Sequence, residues 1–268
     1  MINTPMSFMM KWFARFILCA LVAGCVTESD SPFLKEPTEA DKQTAVSTYV
    51  QIAYRQIELK QYDRAMSALT EAMNIDDSSP LVQTALASTY QAQGEKQKAE
   101  KIYRQVIRRH EDFTDAFLRY GNFLYLEKRY EESCEMLERA TRDDFYDRRS
   151  MAFYNLGTCQ RELGKLEASE YSFERCLGLQ PDNYLVLIEL ADLKFKRGAF
   201  PESKKQLDNY MKATREKKQQ PSARALLLGI KLEREFGNKD AEASLALNLK
   251  NTYPYSAEYL EYKKMGEK

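Results

Sequence analysis

The 268-residue sequence predicts an all-α fold, a superhelical solenoid of about six helix-turn-helix repeats. First, small residues recur every 34 to 38 residues, a spacing that fits two helices and their turns. Second, another small residue follows each of them after twelve residues, and a large apolar residue comes four residues later. Third, the sequence contains no Asn-Gly or Asp-Gly hairpin turn, and no stretch alternates long enough to favour a strand.

The clearest copy contains Gly121, Ser133 and Leu137. Two antiparallel helices approach closely only where a small side chain lies at their crossing, so we expect Gly121 to pack under Leu137. The first small residue of the other copies is Ala53, Ala87, Gly157, Ala191 or Gly229. In the same five copies, in chain order, the second small residue and the large apolar residue form these pairs: Ala65 with Leu69, Ala99 with Tyr103, Ser169 with Phe173, Ser203 with Leu207, and Ala241 with Leu245.

Glycine and proline mark the ends of the predicted helices. Gly94, Gly164 and Gly198 stand at the turn inside a helix pair, where a helix commonly ends in a left-handed residue. Prolines between the pairs are expected to end one unit and begin the next. These prolines are Pro80, Pro181 and Pro254.

This pattern resembles the tetratricopeptide repeat, which implies stacked helix pairs over residues 42–262. We expect the charged insertion 142–149 to be mostly solvated, and the basic segment 212–220 to form a wet loop. A short helix after Pro254 is expected to cap the last pair. The six repeats are predicted at about 46–79, 80–113, 114–147, 150–183, 184–220 and 222–255.

Residues 1–24 are interpreted as a signal peptide, because two basic residues precede a short apolar run, with translation starting at Met1, Met9 or Met10. The run ends in Val-Ala-Gly-Cys, which resembles a bacterial lipobox and predicts acylation of Cys25. The alternative is an ordinary secretory peptide with an incidental cysteine. By the same resemblance, Val26 after the cysteine favours the outer membrane, on its periplasmic side. Residues 25–41 then form the lipidated amino terminus and a polar tether.

Composition argues against several classes of function. The whole chain has a net charge of zero, and removal of residues 1–24 leaves 38 basic against 40 acidic residues, so we expect no nucleic-acid partner. His110 is the single histidine, which disfavours histidine-based metal or catalytic sites. No phosphate-binding glycine loop or dinucleotide fingerprint occurs. We therefore expect neither an enzyme nor a bound cofactor.

Three cysteines remain after the signal peptide and Cys25 are set aside: Cys134, Cys159 and Cys176. Their odd number allows at most one disulfide in an oxidising compartment. We favour the interpretation that they are small buried apolar residues, and the disulfide stays open as the alternative.

The concave face of the solenoid is the predicted binding surface, because stacked first helices line it. The candidates lie about one turn before the first small residue, one residue after it, or four to five after it. Their apolar and tyrosine-rich composition is typical of a groove that holds a peptide segment. They are Val50, Tyr54, Ile57, Leu118, Asn122, Tyr125, Leu126, Tyr154, Arg161, Ile188, Asp192 and Phe195.

Three runs are similar to the PilF/PilW family of type IV pilus biogenesis and stability lipoproteins: YGNFLYLEKRYEE at 120–132, ELADL at 189–193 and ALLLGIKL at 225–232. This resemblance implies a pilotin that binds subunits of the outer-membrane secretin and promotes their localisation or multimerisation. The implied partners are the secretin and, through Cys25, the lipid of the outer membrane. The alternative is a general periplasmic scaffold lipoprotein for cell-envelope assembly.

Overall fold

The structure is a computed structural model that describes residues 36–266. The chain divides into two compact units at residue 44, so 36–44 and 45–266 are the described parts of these units. Cys25, the predicted signal peptide and most of the predicted tether lie outside the described residues.

Residues 36–266 contain helices and no strand, which confirms the all-α fold. From the second helix onward each helix packs against the next along the chain, and several first helices of neighbouring pairs also touch. The helices are α1 (Glu39–Glu58), α2 (Tyr62–Ile75), α3 (Pro80–Ala92), α4 (Lys96–Arg109), α5 (Thr114–Leu126), α6 (Tyr130–Thr141), α7 (Arg149–Glu162), α8 (Leu166–Leu179), α9 (Leu185–Lys196), α10 (Phe200–Glu216), α11 (Ala223–Glu235), α12 (Lys239–Thr252) and α13 (Ala257–Gly266).

The first unit contributes the start of α1. The Asp41 carboxylate accepts a hydrogen bond from the Thr38 backbone N–H at 2.9 Å, and Thr38 Oγ1 accepts one from the Asp41 backbone N–H at 3.2 Å. These reciprocal bonds satisfy two of the N–H groups left free at a helix start. The helix therefore begins at Glu39, so the last three residues of the predicted tether are helical.

Close crossing of the two helices in a pair is confirmed at the predicted small residues. A Cβ atom added to Gly121 would lie 2.7 Å from Cγ of Leu137 and 3.3 Å from the Ser133 carbonyl oxygen. The Ser133 hydroxyl donates to the Gly121 carbonyl at 2.8 Å. The same bond joins Ser169 to Gly157 at 2.6 Å, so the recurring serine ties the second helix to the first.

The turn inside each pair has the predicted left-handed residue. Gly94, Gly164 and Gly198 have φ values of +83°, +70° and +76°. Lys60 and Lys128 take the corresponding place in the first and third pairs, at φ of +57° and +60°. A side chain at positive φ costs about 1–2 kcal/mol, so these two turns are less favourable locally than the glycine turns.

The sixth pair departs from the predicted register. Helix α11 contains one more residue after its small residue, so the left-handed position falls on Gly237, eight residues after Gly229 instead of seven. Ala246 and Leu249 are the buried side chains of α12, whereas Ala241 and Leu245 are half-buried. The predicted contact with the small residue is nevertheless present, because a Cβ atom added to Gly229 would lie 3.0 Å from Cδ1 of Leu245.

Two segments between pairs are more ordered than the sequence analysis expected. Helix α10 continues to Glu216, so the basic segment is a loop only from Lys217 onward. The insertion 142–149 was expected to be mostly solvated, which is wrong for Tyr146 and Arg148. Both side chains are partly buried because they bind the carboxylate of Asp115 on α5.

The favoured interpretation of the cysteines is wrong for two of the three. Cys134 on α6 and Cys159 on α7 form a disulfide, with their Cα atoms 5.7 Å apart. Cys176 is a free buried thiol, as expected. The disulfide joins the third pair to the fourth, and closing a loop of 25 residues restricts the unfolded chain by about 3 kcal/mol.

Helix α13 packs on α11 and α12 after the last pair. Tyr259, Tyr262 and Met265 lie against the buried residues of α11. Tyr255 is exposed in the preceding turn. The predicted capping helix is therefore present.

We predict that Gly121→Ala destabilises the fold by about 1–3 kcal/mol, because the new methyl group overlaps the fully buried Leu137. The matched control is Gly178→Ala on α8, where a Cβ atom meets nothing within 4 Å. Replacing a helical glycine in open space stabilises by up to about 1 kcal/mol. Urea unfolding of both variants checks this, and equal effects at the two sites would contradict the close crossing.

Candidate functional site

The concave face of the second unit carries three adjoining cavities that follow one another along the first helices. The N-terminal section has a volume of about 660 Å³, the central section about 330 Å³ and the C-terminal section about 470 Å³. Asn122 and Leu126 line both the N-terminal and central sections, and Arg161 lines both the central and C-terminal sections. The three sections therefore form one continuous groove.

Nine of the twelve predicted groove residues line these cavities. Tyr54 and Ile57 lie in the N-terminal section, Asn122 and Leu126 at its border, and the others further along. The residues beyond the border are Tyr125, Tyr154 and Arg161 in the central section, and Asp192 and Phe195 in the C-terminal section.

The prediction is wrong for Val50, Leu118 and Ile188, which are buried in the core at 2%, 1% and 6% exposure. Each stands three residues before the small residue of its helix, so it shares the face that packs against neighbouring helices. Tyr154 occupies the same position in its pair. It still reaches the groove because it is only partly buried.

The central section combines apolar surface with one amide pair. Leu126 is 65% exposed, and Tyr125 and Tyr154 lie beside it in the same cavity. Nδ2 of Asn155 donates to Oδ1 of Asn122 at 2.7 Å. This bond uses one donor and one acceptor, so the pair keeps further N–H groups and carbonyl lone pairs for a ligand. Such groups can bond to the backbone of an extended peptide.

The C-terminal section contains a network of ion pairs contributed by three successive first helices. Glu189 on α9 is 7% exposed and binds Arg161 on α7 and Arg224 on α11, the latter at 2.7 Å. Asp192 accepts from Lys196 at 3.0 Å and from Arg224 at 3.0 Å. Arg161 and Asp192 were predicted from the sequence, whereas Glu189 and Arg224 were not.

The charges around Asp192 set its pKa. Burial alone would raise the pKa of this carboxyl, but the hydrogen bond from Lys196 and the charge of Arg224 outweigh it. The pKa therefore lies below its ordinary value, and the carboxylate stays ionised at neutral pH. Burial alone would lower the pKa of Arg224, but the hydrogen bond and charge of Glu189, followed by those of Asp192, outweigh it and raise the pKa.

The N-terminal section is lined by tyrosines and arginines. The Arg119 guanidinium lies over the ring of Tyr54, 3.8 Å from its centroid. Burial raises the pKa of both Tyr54 and Tyr103 to about 12, so both phenols are neutral at physiological pH. Ser88 Oγ lies 2.9 Å from the Tyr103 hydroxyl.

Asp115 organises the wall of the same section. Its carboxylate accepts from Nε of Arg119 at 2.7 Å and from the Tyr146 hydroxyl at 2.6 Å, and it pairs with Arg148. None of these four residues was predicted from the sequence. The spacing of Arg119 from Asp115, four residues along a helix, indicates an ion pair. No feature of the sequence indicates that the insertion 142–149 packs against α5.

Within residues 36–266, no cluster of three or more His, Cys, Asp or Glu side chains could hold a metal ion. Over the same residues, every helix is too short or too polar to cross a membrane.

Comparison with known proteins gives two kinds of match. Two models of the tetratricopeptide repeat match residues 56–112 and 152–183. The type IV pilus assembly protein PilF of Pseudomonas aeruginosa is 34% identical over 248 residues, which are 92% of this chain and 95% of PilF. An uncharacterised protein of Haemophilus influenzae is 24% identical over 165 residues, 62% of this chain and 88% of that protein.

Solved structures agree with the sequence match. The structure of P. aeruginosa PilF superposes with a TM-score of 0.74 at 32% identity, covering 84% of this chain and 99% of PilF. PilW, described as a widely conserved type IV pilus biogenesis factor, superposes with a TM-score of 0.69 at 25% identity. The match covers 81% of this chain and 97% of PilW.

We predict that Asp192→Asn lowers the free energy of unfolding by about 1 kcal/mol at pH 7, because two charge-assisted hydrogen bonds are weakened. The folded pKa lies below the unfolded value near 3.8, so the wild-type contribution is complete above that pH. It is lost as the pH falls through the folded pKa. The difference between variant and wild type should therefore shrink below about pH 4.

Urea unfolding over a pH series measures this difference. The matched control is Asp208→Asn, which removes an exposed carboxylate from an (i, i+4) pair with Lys204. An exposed pair contributes at most about 0.5 kcal/mol, so this variant should stay close to wild type. If the free energy of unfolding of Asp192→Asn differed from that of wild type by the same amount from pH 7 into the acid range, the lowered pKa of Asp192 would be contradicted.

Proposed function

Because the chain belongs to the PilF/PilW family of type IV pilus biogenesis proteins, we propose that it is a pilotin. In this proposal it is a lipoprotein of the outer membrane, facing the periplasm. Its groove binds a segment of the type IV pilus secretin and promotes the localisation or multimerisation of secretin subunits in that membrane.

The central section of the groove is the observation that carries the proposal. Leu126, Tyr125 and Tyr154 present apolar surface next to the amide pair of Asn122 and Asn155. Apolar side chains of a bound segment can cover the leucine and the rings, while its backbone bonds to the amides. Aromatic anchors of this kind dominate the energetics of many protein interfaces.

The expected affinity is moderate. Full burial of a large apolar side chain contributes about 1.5–3 kcal/mol, and three such side chains line the central section. Loss of freedom on association removes about 4–15 kcal/mol of the gross gain. Contacts in all three sections are therefore needed for stable binding, which favours a segment long enough to follow the whole groove.

The proposed lipid anchor fixes where the groove acts. Cys25 precedes the described residues, and the polar residues between it and α1 give the anchored protein reach. Each methylene of an acyl chain contributes about 0.8 kcal/mol in the bilayer, so several chains on one cysteine hold a protein stably at the membrane. A secretin subunit bound in the groove would then be held at the same membrane.

We predict that Leu126→Glu reduces co-purification of the secretin from detergent-solubilised envelopes by about tenfold or more, because burying an unpaired carboxylate opposes binding. Leu126 is exposed, so the variant should fold as the wild type does. The matched control is Leu247→Glu, at a leucine 59% exposed on α12.

Equal secretin recovery with both leucine variants would exclude the central section as the binding surface. Capture of cell-wall enzymes or outer-membrane insertion proteins in place of the secretin would favour the general scaffold described above.

We predict that Cys25→Ala abolishes labelling by radioactive palmitate, releases the protein from the membrane fraction and reduces secretin multimers. Removal of the acyl chains leaves the groove intact but takes it away from the membrane. The control is Cys176→Ala, which changes a buried thiol and should keep both labelling and membrane association. Unchanged secretin multimers and surface pili in the Cys25→Ala strain would refute the anchoring role.

A further inference from the structure

We propose that the N-terminal section of the groove is a subsite for a carboxylate of the bound partner segment, held by Arg119, Arg148 and the Tyr54 hydroxyl. The carboxylate belongs either to an Asp or Glu side chain or to the free carboxyl terminus of that segment. This inference rests on the proposed function and adds the chemistry that one end of the groove recognises.

The first observation is the ratio of charges around Asp115. One carboxylate serves two guanidinium groups, and it also accepts from the Tyr146 hydroxyl. Arg119 uses Nε for this contact, which leaves its terminal N–H groups for another acceptor. A second carboxylate would complete the pairing of the two arginines in the bidentate geometry that guanidinium favours.

The other charged groups around this cavity already have partners. Lys96 pairs with Glu127 at 2.8 Å, and Glu58 pairs with Arg55 at 3.3 Å. Once Lys96–Glu127 and Glu58–Arg55 are set aside as pairs, the two arginines share the single negative charge of Asp115, which leaves one excess positive charge between them.

Carboxylates on the neighbouring insertion lie outside the cavity lining and are mostly engaged elsewhere. Asp143 accepts from Thr114 Oγ1 at 2.7 Å, and Asp144 pairs with Arg149. Asp147 is exposed and does not line the cavity. A single excess charge at the arginines fits a monovalent carboxylate better than a divalent phosphate group.

The second observation is the buried hydroxyl of Tyr54. Among residues 36–266 it has no hydrogen-bond partner within normal geometry, although the side chain lines the cavity. Burial raises the pKa of Tyr54, and the Ser88 hydroxyl lies near enough to oppose that rise. The contacts of Ser88 within hydrogen-bond geometry, however, are to the Thr84 carbonyl and, at 2.9 Å, to the Tyr103 hydroxyl. A buried hydroxyl without a partner costs about 1–3 kcal/mol, and donation to a ligand carboxylate would remove that cost.

The third observation is the state of Arg148. This side chain is one-third exposed at the mouth of the cavity, and burial lowers its pKa. It shares the carboxylate of Asp115 with Arg119, so its charge is only partly compensated in the unbound protein. Burial removes part of the hydration that stabilises the charged guanidinium. A bound anion would replace it with a favourable charge interaction.

The position of the subsite fits one continuous ligand. Asn122 and Leu126 line both this cavity and the central section, so a segment bound over Leu126 continues directly toward the arginines. The carboxylate is then expected close to one end of the bound segment.

The test uses the full-length protein in detergent and overlapping peptides of the secretin from the same bacterium. Each peptide is made with a free carboxyl terminus, with a carboxyl-terminal amide, and with its Asp and Glu residues changed to Asn and Gln. We expect the best binder to lose about tenfold in affinity in one of the two neutralised forms, since one charge-assisted contact is lost. The form that loses affinity identifies the source of the carboxylate.

Three variants locate the contact. Arg148→Gln removes one guanidinium, and Tyr54→Phe removes only the hydroxyl while keeping the ring. Both should weaken binding of the acidic peptide, by about tenfold for Arg148→Gln, and neither should weaken the neutralised peptide further. The control is Arg139→Gln, which changes an arginine over the Phe117 ring outside the groove and should bind like wild type.

The outcomes separate the two levels of the proposal. Equal affinity of acidic and neutralised peptides, or an unchanged affinity in Arg148→Gln and Tyr54→Phe, overturns the carboxylate subsite and leaves secretin binding in place. If no peptide binds, the same two variants are compared for co-purification of intact secretin, and wild-type recovery overturns the subsite. If wild-type protein recovers no secretin, both proposals fall.

Discussion

The structure depends on the close approach of two helices at one small residue in each pair. Gly121 lies directly against Leu137, and the Ser133 hydroxyl closes the contact on the Gly121 carbonyl. A hydrogen bond of this kind contributes about 1 kcal/mol, and the exclusion of any Cβ atom sets the distance between the helix axes. Because the same contact recurs along the chain, the angle of each pair is repeated and the pairs stack in one direction. The curvature that produces a concave face follows from this repetition.

The groove is the surface that this packing leaves unused. Residues three positions before the small residue share its face and are buried, as Leu118 is, whereas residues one, four and five positions after it turn toward the concave side. Asn122, Tyr125 and Leu126 stand at these positions in the third pair. The composition of the groove is therefore free to vary without loss of the core, which is why a common fold can serve a specific partner.

Local signals made the helix pairs predictable from sequence, and contacts between distant residues were not. Gly121, Ser133 and Leu137 lie within one repeat, so their spacing alone reports the crossing. Tyr146 and Asp115 are 31 residues apart, and the insertion 142–149 that brings them together has the composition of a solvated loop. The disulfide was missed for a similar reason, because an odd number of cysteines gives no pairing. Partners such as Arg224 are set by the stacking of pairs, which periodicity does not resolve in detail.

The two ends of the groove differ in how far their charges are already neutralised. At the C-terminal end, Glu189 lies between arginines from the neighbouring first helices, and the network links three successive pairs. A buried network of this kind adds little stability over apolar packing, but it fixes the relative positions of the helices that contribute to it. The C-terminal section is therefore preorganised, and binding of a ligand there costs little free energy for ordering side chains.

At the N-terminal end, Asp115 is shared by two arginines and the Tyr54 hydroxyl has no partner in the described chain. A ligand gains most where the protein's own groups are still unpaired. The preorganised C-terminal section is thus suited to fix the conformation of the bound segment. The N-terminal section, where two arginines share one carboxylate, is suited to select the charge of that segment.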